Sequence, residues 1–229
     1  VTGDFVAEDE STMKLSIGGT LDGDVLSKGN SETTLTVSGT QTGGVDVENS
    51  SSLTVTVDGT LNGDAEANQN SSNPSHSDLT LTINGSMNGM VEAWDYSTGD
   101  VTVSGSWVGE STAYYTGENS VSIIGSGSWT GDGWAYCGGT FGVSVADGAK
   151  WSGDAYSTDV ENGVYAHLTA DIAGTWEGDA KSDYGAVLNA NIKETGVWTG
   201  DAVSTDSYDD KASEVHVDNA GVWNGDARA

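Results

Sequence analysis

The chain has 229 residues, one cysteine and one proline, and its 35 acidic against seven basic side chains leave a formal net charge of −28. That balance excludes a phosphate-reading surface and argues against binding to acidic membranes. The lone cysteine excludes a disulfide framework and a cysteine-based metal site. The length fits one domain, residues 1–229, and the 33 glycines point to many tight corners.

A five-residue phrase recurs from one end to the other: an apolar residue, any residue, glycine, usually aspartate, then a small or apolar residue. Val1-Thr2-Gly3-Asp4-Phe5 opens the series. Ten further copies are led by Leu21, Gln41, Leu61, Met87, Trp107, Trp129, Trp151, Trp176, Trp198 and Trp223, at intervals of 20 to 26 residues. A unit that short cannot bury a core alone, so neighbouring units must stack. Before the phrase runs a strand pattern of apolar and hydroxyl residues in alternation, as in Thr34–Val37, Leu53–Val57, Leu79–Ile83 and Val101–Val103. Gly or Asn-Gly follows as a turn. A second short alternation comes after the phrase, at Val45-Asp46-Val47, Ala65-Glu66-Ala67 and Val91-Glu92-Ala93. No stretch carries helical periodicity. Two or three short strands per unit, stacked in register, give an all-β parallel β-helix of about ten coils. With a rise of about 4.8 Å per coil, the rod is about 50 Å long.

The lead position is mostly Leu, Met or Trp and is therefore read as inward. A tryptophan ladder for sugars is the competing reading. Leu21, Leu61 and Met87 occupy the same column, and leucine does not replace a sugar platform. The insertion Asn68–Asp78, with Pro74, is polar and is expected to form a surface loop. Cys137 shares its alternation with Ala135 and is expected to be a buried, inert thiol.

The Trp-x-Gly-Asp-Ala phrases at Trp151–Ala155, Trp176–Ala180 and Trp198–Ala202, with the Thr/Val strands and Asn/Gly turns between them, resemble the passenger regions of bacterial autotransporters and related large surface adhesins. The resemblance covers almost the whole chain. It implies a right-handed β-helix exported to the cell surface, an extracellular location, and no particular activity; the protease motif Gly-x-Ser-x-Gly is absent. Because both ends fall on a repeat phrase, the chain is expected to be a fragment of a longer solenoid.

Three constellations are candidates for function. The first is an acidic column: Asp4, Asp24, Asp64, Asp132, Asp154, Asp179, Asp201 and Asp226 share one position, Glu110 stands in, and Gly44 and Met90 interrupt it. Carboxylates about 4.8 Å apart repel by about 0.9 kcal/mol even in water, so something must offset them. Asx-type turns, with each carboxylate accepting backbone N–H groups, are the structural reading. Calcium held by Asp132, Asp154, Asp179 and Asp201 is the functional one, although the nonapeptide calcium-roll pattern is absent.

The second constellation is aromatic. Counting from the lead residue, outward positions hold Trp94, Tyr114 and Tyr136 in three successive coils and Trp134 and Tyr156 in two, with Tyr96 and Tyr115 nearby and Glu92 and Asp95 beside them. Cross-strand pairing explains such a ladder structurally. An aromatic patch left at a surface also suits a glycan or protein partner.

The third is a threonine array, Thr36, Thr56, Thr82 and Thr102, which decays to Ser122, Ser144, Asn191 and His216 and would suit ice. His76, His167 and His216 are too dispersed for a shared metal site or triad. The expected function is therefore a non-enzymatic stalk or adhesive segment that binds surface glycans or proteins and can self-associate, without nucleic acid, membrane insertion or an obligatory cofactor. A polysaccharide-active β-helix enzyme and an ice- or calcium-linked module are the alternatives.

Overall fold

The computed structural model describes residues 1–69, 76–161, 163–205, 207–208 and 211–229; Pro74 and the centre of the polar insertion lie outside the described residues. Among the described residues every regular element is a strand. Three long parallel sheets, one of eleven strands and two of ten, run side by side, and each strand pairs with its counterpart in the next coil. One coil contributes a six-residue strand such as Glu32–Val37, a three-residue strand such as Thr40–Thr42 and a four-residue strand such as Val45–Glu48. These build the threonine, lead and aromatic sheets respectively, and the molecule is a β-solenoid. Two antiparallel hairpins, Val160–Glu161 with Val164–Tyr165 and Ser207–Tyr208 with Lys211–Ala212, branch from the later coils.

The lead residues form one in-register column from Leu21 through Gln41, Leu61 and Met87 to the tryptophans. From Trp107 to Trp198 they are buried, and Trp223 is half-buried. The six indoles stack with ring centroids 4.6–5.0 Å apart and planes within 9° of parallel. Each indole N–H also needs an acceptor when buried, and finds the carbonyl of the phrase glycine in the preceding coil. Trp107 donates to Gly89 at 2.8 Å, Trp151 to Gly131 at 2.9 Å and Trp223 to Gly200 at 2.9 Å. Glycine is required there because the coils nearly touch. A Cβ on Gly131 would lie 1.9 Å from the Gly109 carbonyl oxygen, at φ +150°.

A tryptophan needs more room than a leucine, and the opposite wall supplies it. The first residue of the aromatic-sheet strand is Val25, Val45, Ala65 or Val91 in the early coils. It becomes Ser111, Gly133, Ala155, Ala180 and Ala202 where the lead is Trp. At Gly133 even a methyl group would meet the Phe141 ring at 2.6 Å. From the valine coils to the tryptophan coils the facing residue shrinks as the lead residue grows, with Ala65 opposite Leu61 the exception.

The corners hold a second inward column that is polar. Ser31, Ser51, Ser77 and Ser97 are buried. The Ser31 N–H donates to Ser51 Oγ at 3.0 Å, and Ser77 Oγ donates to Gln69 Oε1 at 3.1 Å. Both described ends of the insertion are therefore anchored in the interior and are not surface loop. Cys137 is buried as expected, but at a corner with φ +49°, where its thiol lies 3.8 Å from Asp159 Oδ2.

Candidate functional site

The outer face of the aromatic sheet carries two adjacent side-chain columns. In the first, Trp94, Tyr114 and Tyr136 are register partners. Trp94 stacks on Tyr114 with centroids 4.0 Å apart, and Tyr136 meets Tyr114 edge-on at 5.6 Å. In the second, Trp134 and Tyr156 stack at 3.9 Å and 11°. Tyr115 reaches the cluster, 6.0 Å from Trp94. Tyr96 is exposed and makes no ring contact with the strip; its carbonyl meets His76 Nδ1. The strip therefore points outward as the phase predicts. Its five stacked rings and Tyr115 are nevertheless half-buried, because each ring covers the next.

Tyr96 and Tyr115 sit on corners where two consecutive residues adopt left-handed backbone, Asp95–Tyr96 at φ 41° and 60° and Tyr115–Thr116 at 44° and 68°. Bulky residues rarely adopt that conformation. A groove of about 360 Å³ opens beside the strip, lined by Glu110, Thr112, Tyr114, Trp134 and Tyr136.

The electrostatics change along this face. In the early coils the second column is Asp46, Glu66 and Glu92, in register. Burial first, then Glu66 and Asp24, push the Asp46 carboxyl up to about 7. Glu92 is raised for the same reasons, burial and then Glu66, and burial followed by Glu92 raises the Tyr114 hydroxyl. In the late coils the same column reaches Lys181, followed by Val203 and Arg228; the Lys181 ammonium lies 2.8 Å from Asp154 Oδ2 and 5.0 Å from the centre of the Tyr156 ring. Burial pulls the Asp154 carboxyl upward. Its bonds to Lys181, the Asp179 N–H and the Tyr156 hydroxyl outweigh that and hold it below the usual carboxylate range.

The aspartate column is a cross-coil ladder. Oδ1 of Asp132 accepts the Asp154 N–H at 2.8 Å, Asp154 accepts that of Asp179 at 2.8 Å, and Asp179 that of Asp201 at 2.9 Å. Even the interrupting residues use it, with Gly44 donating to Asp24 and Met90 to Asp64, each at 2.7 Å. The acceptor role expected of a turn is present, but the donor belongs to the next coil. Among the described residues no group of three or more His, Cys, Asp or Glu is placed to share a metal ion.

Thr36, Thr56, Thr82 and Thr102 pair in register as expected, followed by Ser122 and Ser144. Asp171, Asn191 and Asp218 complete that column. His216 belongs one column over, opposite Asn189, because the hairpin before it shifts the spacing. His216 meets Glu214 at 2.8 Å, well apart from His76 and His167 in the chain.

No protein-family model matches this chain, and no curated protein matches it. Among solved structures it is similar to the TibC-catalysed, hyper-glycosylated TibA fragment spanning residues 55–350. The identity is 14%, the TM-score 0.23, and the alignment covers 100% of this chain and 99% of that one. A likeness that low carries no argument about function. Among the described residues, no helix is long and apolar enough to cross a membrane.

Proposed function

We propose that the chain is a non-enzymatic stalk and adhesive segment of a protein displayed at a bacterial cell surface, with the aromatic strip as its contact face. The observation that carries this reading is the pair of in-register ring columns on the outer face of a continuous solenoid, beside an open groove. Inside the coils aromatic rings are explained by packing. Outside, they are held in place by their own stacking, so their contact area is fixed before a partner arrives and little side-chain entropy is lost on binding. The repeat phrases that resemble surface adhesins support the location. The net charge of −28 keeps a rod with such a strip soluble and turns away nucleic acid and anionic lipid. Partners of this face are surface glycans or proteins, another copy of the chain included.

The test is a glycan array and a cell-adhesion assay comparing the wild type with the combined Trp94→Ala, Tyr114→Ala and Tyr136→Ala variant. Loss of binding with retained β-sheet circular dichroism is expected. Equal binding by both would reduce the strip to a ladder that stabilises the sheet.

A further inference from the structure

The second ring column is closed at one end and open at the other. At the closed end, Tyr156 is followed in register by Lys181. Its ammonium is 2.8 Å from the Asp154 carboxylate, 3.3 Å from the Tyr156 hydroxyl and 5.0 Å from the ring centre. The molecule thus seats a lysine between a corner carboxylate and an aromatic face. It repeats the cation-on-ring contact elsewhere, with Lys211 Nζ 3.5 Å from the centre of the Tyr165 ring.

At the open end, the register partner of Trp134 is Thr112. The coils before it carry Asp46, Glu66 and Glu92 in this column, so the backbone there accommodates longer side chains. Threonine is shorter than those side chains and is itself buried, and the groove of about 360 Å³ opens where it meets Trp134. Glu110, two residues before Thr112, stands in the same corner column as Asp154, in the place that Asp179, 3.4 Å from the Lys181 ammonium, takes two residues before Lys181. Glu110 is exposed, and its carboxylate has no hydrogen bond or ion pair among the described residues, its backbone carbonyl accepting the Val91 N–H. Tyr114 and Tyr136 form the side walls. An aromatic face and a corner carboxylate are present as in the Lys181 seat, without the ring hydroxyl and without a cation. The neighbouring sequence cannot supply one: between Lys28 and Lys150 there are eight Asp and six Glu, fourteen acids in all, and no Lys or Arg.

We propose that this groove binds the lysine side chain of a partner polypeptide, its methylenes along the Tyr114 and Tyr136 walls and its ammonium over Trp134 against Glu110. The inference rests on the reading of the strip as a contact face and names the chemistry it recognises. A neutral sugar could stack on Trp134 and donate a hydroxyl to Glu110, but it would leave the negative charge of that carboxylate unmatched. A desolvated ammonium gains from both ring and acid, and the acidic surround steers a basic segment toward it.

The full chain is titrated with acetyl-Gly-Lys-Gly-amide, followed by tryptophan fluorescence and by nuclear magnetic resonance of the indole protons. Saturable binding is expected, weakened at least about tenfold by Nε-acetylation of the peptide and by Glu110→Gln, a loss of about 1.4 kcal/mol or more. Thr112→Lys, which places an ammonium there in cis, is expected to abolish it. Should that variant fail to fold, Glu110→Gln, at an exposed site, decides alone. Equal affinity for the acetylated peptide, indifference to Glu110→Gln, or no binding at millimolar peptide would each overturn the lysine assignment and leave the strip's adhesive role standing. That role falls separately, if the triple alanine variant still adheres.

Discussion

The coils led by Leu21 to Met87 and those led by Trp107 to Trp223 share one backbone plan and solve its two problems differently. In the first group the core sets Leu, Gln or Met against Val or Ala, and the outer acids Asp46, Glu66 and Glu92 stand next to one another in register. In the second the core is a tryptophan stack against Ala, Ser or Gly, and outer acids are paired, as Asp154 with Lys181, Glu177 with Lys150 and Asp201 with Arg228. Parallel pairing of backbones therefore fixes the coil, while side-chain columns can be exchanged as long as facing volumes are matched. Where that column of like charge is left unpaired, burial and the neighbouring acids raise the Asp46 and Glu92 carboxyls.

The largest effect should come from the tryptophan core. Trp151→Ala is expected to cost about 3–5 kcal/mol, more than a leucine truncation at Leu61, and to orphan the Gly131 carbonyl as well. Trp151→Leu combined with Ala155→Val, which imports the early-coil solution, should recover most of that loss. Urea denaturation followed by circular dichroism measures both, and no recovery in the double variant would break the volume-matching argument.

Next is the pH response, which should have opposite signs in the two groups. Asp46 titrates at about 7 in the fold and near 3.9 when unfolded. A raised carboxyl contributes stability below about pH 4 that is lost as pH climbs through 7. Asp46→Asn should therefore stabilise the early coils at pH 8 by about 1–3 kcal/mol and change little at pH 4. Asp154 is held below its ordinary value, so its contribution is present above about pH 4 and lost on further acidification. Asp154→Asn should cost about 0.5–1 kcal/mol at pH 7, since the pair with Lys181 is partly solvated. Protection factors from hydrogen exchange, read coil by coil, separate the two signs; a common sign in both groups would refute the contrast.

Calcium should distinguish the groups least. The aspartate Oδ1 atoms of both already accept N–H bonds from the following coil. The melting midpoint is expected to be the same in millimolar calcium and in chelator. A clear rise with calcium would make Asp132, Asp154, Asp179 and Asp201 metal ligands in addition to coil-to-coil acceptors.

Coil number, the inward lead column and the outward ring columns were legible because each is a position in a repeat, and alternation gives its phase. What was not legible depends on a residue one coil away. Nothing in Trp-x-Gly shows that the indole donates to the glycine carbonyl of the preceding coil, or that Asp132 serves Asp154 instead of its own turn. The lead strand is three residues long, too short to display an alternation. Gln41 looks polar in an apolar column, yet it is buried and its side-chain N–H reaches the Gly44 carbonyl at 3.2 Å. The half-burial of the strip was missed because rings counted as outward by phase still shield one another. The His216 phase was lost because the hairpin ahead of it changes the residue count between coils.

The backbone bonds of all three sheets run from one coil to the next, so they lie along the axis of the stack. Tension applied at the two ends loads them a few at a time, at the terminal coil, and does not shear them all together. Such a filament should yield in steps, each freeing one coil of 20 to 26 residues, or roughly 60–90 Å of contour length. Under flow the molecule would then lengthen by shedding coils in sequence and recover them when slack, a ratcheted shock absorber whose step size is written in the spacing of its glycines.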